Sequence, residues 1–293
     1  MRKMFNKSTI LLMALIVLTA MTLLTGCGQP GSKDAPQEPA KDDQGKAALS
    51  GTVTIAGSTS VQPLSEELAA AFMSIHPGVR IEVSGGGSGA GVKAAQTGAA
   101  DIGAASRALK SDETGVIGQA IAVDGIAVIV HPSNPIDDIS FEILQKIFRG
   151  EITDWNQVGG QKSGGIVVIN REEGSGTRGA FHEIVVGDKN EFVSTAIIQN
   201  STGAVREAVS QDVNAIGYIS LGGINNSIKT LKVNGVEPTA EKVKAQAYPV
   251  ARPFNYVLND GTQLSKEAQA FIDFILSDEG QRIVVQNGFV SVK

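Results

Sequence analysis

Three times in this chain a short β-branched run breaks into glycines and hydroxyl residues and then resumes as a helical apolar pattern, an order that few folds accommodate. The loops are Gly57-Ser58-Thr59-Ser60, Gly85-Gly86-Gly87-Ser88-Gly89 and Gly174-Ser175-Gly176-Thr177. Apolar periodicity predicts strands over residues 52–56, 79–83, 101–104, 121–131, 166–170 and 215–220, and helices over 61–75, 92–96, 141–148, 177–186 and 203–210. Alternation of this kind implies an α/β fold with largely parallel sheets covered on both faces. In such sheets ligands lie at the carboxyl ends of strands, where loops lead into helix N-termini. All three loops occupy that position.

The third loop belongs to Arg171-Glu172-Glu173-Gly174-Ser175-Gly176-Thr177-Arg178, which has the make-up of a seat for a tetrahedral oxyanion. Ser175 and Thr177 bring hydroxyl donors, and Gly174 and Gly176 let backbone N–H groups approach. The helix start carries partial positive charge, and Arg171 offers a planar bidentate fork. The same residues also suit an ordinary N-cap for a helix through Ala180, Phe181, Ile184 and Val185. One Gly/Ser loop is usually just a turn; three at equivalent topological positions are better explained by convergence on one anion.

The N-terminus indicates where the protein works. Arg2, Lys3 and Lys7 precede an uncharged apolar run from Ile10 to Leu24 that ends in Leu24-Thr25-Gly26-Cys27. This pattern reads as a secretory signal over residues 1–26. A helix of that length spans only ~22 Å, short of the ~30 Å hydrocarbon core, so a permanent transmembrane anchor is the weaker reading. Cys27 is the only cysteine, which rules out an internal disulfide. Residues 27–48 are rich in Pro, Gln, Lys, Asp and Glu with almost no bulky apolar side chain, the composition of a flexible tether. Without residues 1–26 the chain has 22 basic against 30 acidic residues, a formal charge of −8. That balance argues against nucleic acid or anionic lipid as partners.

Several chemistries fit poorly. Gly85 to Ala90 matches the loose form of a dinucleotide fingerprint, but the next strand ends in Ala104-Ala105-Ser106-Arg107 without the ribose-binding acid. No P-loop Gly-Lys-Ser/Thr occurs. Ser175 lacks the flanking glycines of a nucleophile elbow, and Ser88 is only a near match. His76, His131 and His182 stand in no motif that would put one beside either serine. A secreted serine hydrolase or phosphatase remains the rival reading from another class. No His/carboxylate cluster has metal-ligand spacing, and no cofactor is implied.

The chain resembles the phosphate-binding lipoproteins that serve phosphate-specific ABC transporters. The resemblance is carried by Ala56-Gly57-Ser58-Thr59-Ser60-Val61-Gln62-Pro63, Gly87-Ser88-Gly89-Ala90-Gly91-Val92-Lys93, Asp101-Ile102-Gly103-Ala104-Ala105-Ser106-Arg107, Ile147-Phe148-Arg149-Gly150-Glu151-Ile152-Thr153-Asp154-Trp155, the Arg171–Arg178 block and Ala215-Ile216-Gly217-Tyr218. Leu24-Thr25-Gly26-Cys27 likewise resembles the bacterial lipobox, which implies cleavage before Cys27 and lipidation of its thiol. The resemblance implies a type II periplasmic-binding-protein fold of two lobes closing on a ligand in the cleft. Lobe one would hold residues 49–127 and 255–293, and lobe two residues 128–254. The protein would be a monomeric binder, not an enzyme. It would be anchored on the outer face of a cell membrane, Gram-positive or periplasmic, and would deliver inorganic phosphate to an ABC permease.

On this resemblance Ser58, Thr59, Ser60 and Ser88 would bind the anion from one lobe and Arg171, Ser175, Gly176 and Thr177 from the other. Glu173 would orient Arg171, and Trp155 would be a structural wedge. One departure stands out. Several family members have an aspartate where this chain has Ser106, and that carboxylate accepts the proton of HPO₄²⁻, which sulfate lacks. Asp124, in Ala122-Val123-Asp124-Gly125, could supply the carboxylate instead with Arg107 balancing its charge, or it could merely cap a turn. Sulfate, molybdate or phosphonate are the alternative ligands.

Overall fold

The computed structural model describes residues 48–159 and 164–293. The signal segment, Cys27 and nearly all of the tether lie outside the described residues. The chain opens as β1 (Gly51–Gly57), α1 (Gln62–Ile75), β2 (Val79–Gly85), α2 (Ser88–Thr97) and β3 (Ile102–Ala105). A long strand β4 (Val116–Val130) follows, then β5 (Asp138–Ile139), α3 (Phe141–Arg149), β6 (Val167–Arg171) and α4 (Gly176–Phe181), which runs on as a π-helical turn over His182–Val186. Next come β7 (Ile197–Gln199), α5 (Thr202–Gln211), β8 (Ala215–Ser220), β9 (Lys229–Thr230), β10 (Lys232–Val233) and α6 (Ala240–Lys244). The chain closes with β11 (Ala251–Asn259), α7 (Lys266–Ile275) and α8 (Asp278–Gln286).

The main sheet runs β2-β1-β3-β11-β4-β8-β6-β7, with β9 also paired to β4. It is mixed, which corrects the expectation of largely parallel sheets. β1, β2 and β3 are parallel, as are β6, β7 and β8, but β4 and β11 run antiparallel to each other and to the strands beside them. The physical reason lies in β4. Its first part, Val116 to Gly125, pairs with β11 except at Ile121, where the register shifts, and its last five residues, Ile126 to Val130, pair with β8. One strand thus carries the chain out of the first α/β body into the second, and β11 brings it back. Residues 255–259, placed at the start of the C-terminal part of lobe one, are the second half of that returning strand.

The apolar cores follow the same division. Ile55, Leu64, Leu68, Phe72, Ile102, Ile121, Phe254, Tyr256 and Phe271 form one cluster. Ile126, Val128, Val130, Leu144, Phe148, Phe181, Tyr218 and Val250 form another. The clusters change over between Ala122 and Ile126 on β4 and between Val250 and Phe254 on the return, and the Ile126 N–H donates to the Val250 carbonyl at 2.8 Å. Ile126 to Val130 are fully buried, as a near-continuous apolar run covered on both faces should be. Trp155 is buried in the second cluster, its indole N–H donating to the Asn214 carbonyl at 3.0 Å. No helix of the described residues is long and apolar enough to cross a membrane.

Candidate anion-binding site

Four helix starts meet at the seam between the two bodies: α1 behind Ser58-Thr59-Ser60, α2 at Ser88, α4 at Gly176-Thr177 and α5 at Thr202. The first two belong to one body and the last two to the other. Helix N-termini present unpaired N–H groups and partial positive charge, so their convergence makes a local anion-attracting field in an acidic chain.

Close packing sets Ser88 in place. A Cβ at Gly91, one turn into α2, would stand 2.7 Å from the carbonyls of Ala56 and Ala104, so only glycine lets α2 press against β1 and β3. The Ser88 hydroxyl accepts the Ser106 N–H at 3.0 Å and lies 3.3 Å from the Ser106 hydroxyl. Ser58 donates to Ser106 at 2.9 Å and accepts the Ser60 N–H at 3.2 Å. Ser60 then reaches across the seam, 2.8 Å from the Thr177 hydroxyl and 2.9 Å from that of Thr202. Ser106 lies 3.4 Å from the Thr177 hydroxyl. Ser58, Ser60, Ser88, Ser106, Thr177 and Thr202 are all buried, and hydroxyls both donate and accept, so the cluster can satisfy itself or turn its donors to an oxyanion.

Arg171 ends β6, and the aromatic core beneath it fixes its backbone. Tyr218 stacks on Phe181 with ring centroids 4.0 Å apart and donates its hydroxyl to Asn170 Oδ1, the oxygen that also accepts the Arg171 N–H at 2.8 Å. Burial holds the Tyr218 hydroxyl well above its ordinary pKa, so it stays a donor. The buried Arg171 guanidinium donates to Thr202 Oγ1 at 3.3 Å and across the seam to Thr59 Oγ1 at 3.2 Å. Its carboxylate partner is Glu172, in a two-point pair at 2.8 and 2.9 Å. Glu173, expected in that role, is exposed instead, because the chain turns directly after Glu172 and points the next side chain at solvent.

Ser175 realises the capping alternative: its hydroxyl accepts the Arg178 N–H at 3.2 Å. Gly176 is where the bodies touch. A Cβ there would lie 2.3 Å from the Ser88 hydroxyl oxygen and 2.8 Å from that of Ser106. Beside it the Gly89 N–H donates to the Gly174 carbonyl across the seam at 3.0 Å.

Two expected roles are corrected. Arg107 grips Glu113 with both terminal nitrogens, at 2.8 and 2.6 Å, and among the described residues its side chain makes no hydrogen bond to the hydroxyl cluster. Asp124 is balanced by Arg252 rather than Arg107. The two are directly opposite on β4 and β11, with 3.1 Å between Arg252 Nη2 and Asp124 Oδ2, and Arg252 Nη2 also donates to Thr177 Oγ1 at 3.0 Å. Asp124 Oδ1 accepts the Leu221 N–H at 3.1 Å, so this carboxylate stands behind Arg252 instead of within the cluster. Burial raises it to about 6, with the Arg252 charge pulling it back, and burial lowers Arg252 to about 10. Sequence reasoning missed both Arg252 and Thr202. The Ser201-Thr202-Gly203 start of α5 did carry a capping signal, whereas Arg252 carried none.

Two α/β bodies linked by a pair of antiparallel strands, with hydroxyls and guanidinium groups gathered at their seam, define a type II periplasmic-binding fold. The chain belongs to the PBP superfamily, whose domain model matches residues 42–279, and within it to the phosphate-binding proteins of the PstS family. It is 32% identical to phosphate-binding protein PstS of Bacillus subtilis over 98% of this chain and 95% of that protein. A Clostridium perfringens ABC-transporter substrate-binding protein with bound phosphate matches at 43% identity and a TM-score of 0.80, over 83% of this chain and all of that one. A Vibrio cholerae ABC-type phosphate transport receptor matches at 32% identity and a TM-score of 0.67, over 81% and 99%.

Proposed function

We propose that this protein is the substrate-binding component of a phosphate-importing ABC transporter, capturing inorganic phosphate outside the membrane and handing it to the permease. The observation that carries the reading is the meeting of Thr59, Ser60, Ser88, Ser106, Arg171 and Thr177 at one buried seam, from loops far apart in sequence and on both bodies. The names of the relatives at 32% identity and above support the same ligand. The two bodies act as lobes of a clamp, joined near Gly125 and Val250. Ser58 and the backbone of Ser175 and Gly176 complete the seat. Cys27, lying behind an apolar signal, is lipidated, and residues 27–48 tether the clamp to the outer face of the membrane as a monomer. Closure gives the permease a shape that the open form lacks.

The protein binds rather than turns over. His182 is held by the Asn190 carbonyl and His131 by Ser133, and among the described residues no histidine is hydrogen-bonded to Ser88 or Ser175 to serve as a base. Titration calorimetry of anion-stripped protein should show one-to-one phosphate uptake, and a chromogenic phosphate ester should remain intact. Uptake of sulfate or molybdate in place of phosphate would replace the ligand, and ester turnover would overturn the binder.

A further inference from the structure

We infer that Arg252 is a second anion-binding guanidinium of this site and that Asp124 is the residue that positions it. The inference rests on the phosphate reading and adds to it a contact that none of the glycine and hydroxyl loops supplies. Arg252 stands on the returning strand, outside those loops, yet its Nη2 donates to Thr177 in the middle of the hydroxyl cluster. Thr177, Ser60 and Thr202 form a short relay of hydroxyls with Arg252 at one end and Arg171 at the other. The two guanidinium groups flank the same few atoms.

Arg252 is also under-used. Its side chain is 2% exposed, and Nε and Nη1 have no acceptor. Buried donors are almost always satisfied, and a guanidinium carries five N–H groups. Arg171 engages its carboxylate through two nitrogens, whereas Arg252 meets Asp124 through Nη2 alone. The ring of Phe254 lies 5.3 Å below the guanidinium and holds its plane. Arg252 is therefore oriented, desolvated and short of acceptors, beside hydroxyls assigned to the anion. A tetrahedral oxyanion supplies the missing acceptors, and two arginines offset a dianion better than one. Arg252 thereby adds a second fixed positive charge to the site, which favours a dianion. Asp124, fully buried and fixed by Leu221, keeps the guanidinium turned toward Thr177.

The competing role is a structural ion pair that clips β4 to β11. Phosphate titrations of the full chain and of Arg252→Lys, Arg252→Met, Asp124→Asn and the double variant Arg252→Met/Asp124→Asn separate the two. The double variant leaves no unpaired buried charge, so it is the one expected to fold, checked by thermal unfolding without anion. It should bind phosphate at least about 30-fold more weakly, the span of a lost charge-assisted hydrogen bond. Arg252→Lys should retain part of the affinity. Asp124→Asn should weaken phosphate binding when Arg252 is present and have no further effect once Arg252 is Met, a coupling that a purely structural pair would not transmit to the ligand. A folded double variant that binds phosphate like the unchanged protein would overturn the inference alone. Failure of the unchanged protein to bind phosphate would overturn the phosphate reading and this inference with it.

Discussion

Gly176→Ala should separate closure from folding more cleanly than any other substitution in the site. The added methyl would lie 2.3 Å from Ser88 Oγ and 2.8 Å from Ser106 Oγ, both on the opposite body, so the seam must part by about 1 Å to regain ordinary contact. That movement stretches three links across the seam: Ser60 to Thr177 at 2.8 Å, Ser106 to Thr177 at 3.4 Å and Gly89 to Gly174 at 3.0 Å. At roughly 1 kcal/mol each, the closed form should lose about 2–4 kcal/mol, weakening phosphate binding about 30- to 1000-fold. With the two bodies parted the added methyl would meet no such clash, and alanine is the better helix former at the start of α4, so the melting temperature of the stripped protein should hold or rise. Gly174→Ala is the matched control, since a Cβ there meets nothing within 4 Å. Calorimetric titration of both variants, with thermal unfolding of the stripped proteins, decides the matter. Unimpaired binding by Gly176→Ala, or an equal loss from Gly174→Ala, would refute the reasoning.

Arg107→Met should cost stability and spare the ligand: breaking the pair with Glu113 should lower the unfolding free energy by about 2 kcal/mol, whereas a matching loss of phosphate affinity would put Arg107 back in the site. Thr202→Val removes the hydroxyl that links Ser60 to Arg171 and should weaken phosphate binding about 10-fold in calorimetry, and an unchanged affinity would make Thr202 a bystander. Asp124 has a folded pKa of about 6 against an ordinary 3.8, so its contribution to stability is fully present below the unfolded value and is lost as pH rises through 6. Denaturant unfolding should therefore show the unchanged protein losing up to about 3 kcal/mol relative to Asp124→Asn between pH 4 and pH 7. A difference that does not vary with pH would mean that the carboxylate is not desolvated as the structure has it.

The parts of this site that could be read in the chain are those whose meaning is local. Ser58, Thr59, Ser60, Ser88 and Thr177 each stand between a strand and a helix, and the order strand, hydroxyl, helix puts a donor at a helix start whatever the rest of the molecule does. Thr202 obeys the same rule but was hidden, because β7 before it is only three residues long and exposes both Ile197 and Ile198, so no apolar run announced a strand. The mixed sheet was hidden for a different reason. Alternation of elements reports parallel crossovers within each body, and it is silent on how a chain leaves one body and returns, which here requires two antiparallel strands. Charge partners were the least legible. Glu172 and Glu173 are chemically identical neighbours, and only the turn that follows Glu172 decides which one meets Arg171. Arg107 lies in the segment that resembles the family, yet its partner was set by Glu113, six residues on in a loop of no marked pattern. Arg252 and Asp124 are 128 residues apart in sequence and become partners through the register of β4 on β11. That register also shifts between Phe254 and Asn255, three residues from the pair. A slip of one residue would turn Arg252 to the other face and leave Asp124 buried without a counter-charge, so the pair constrains how the two bodies are joined as strongly as it completes the site.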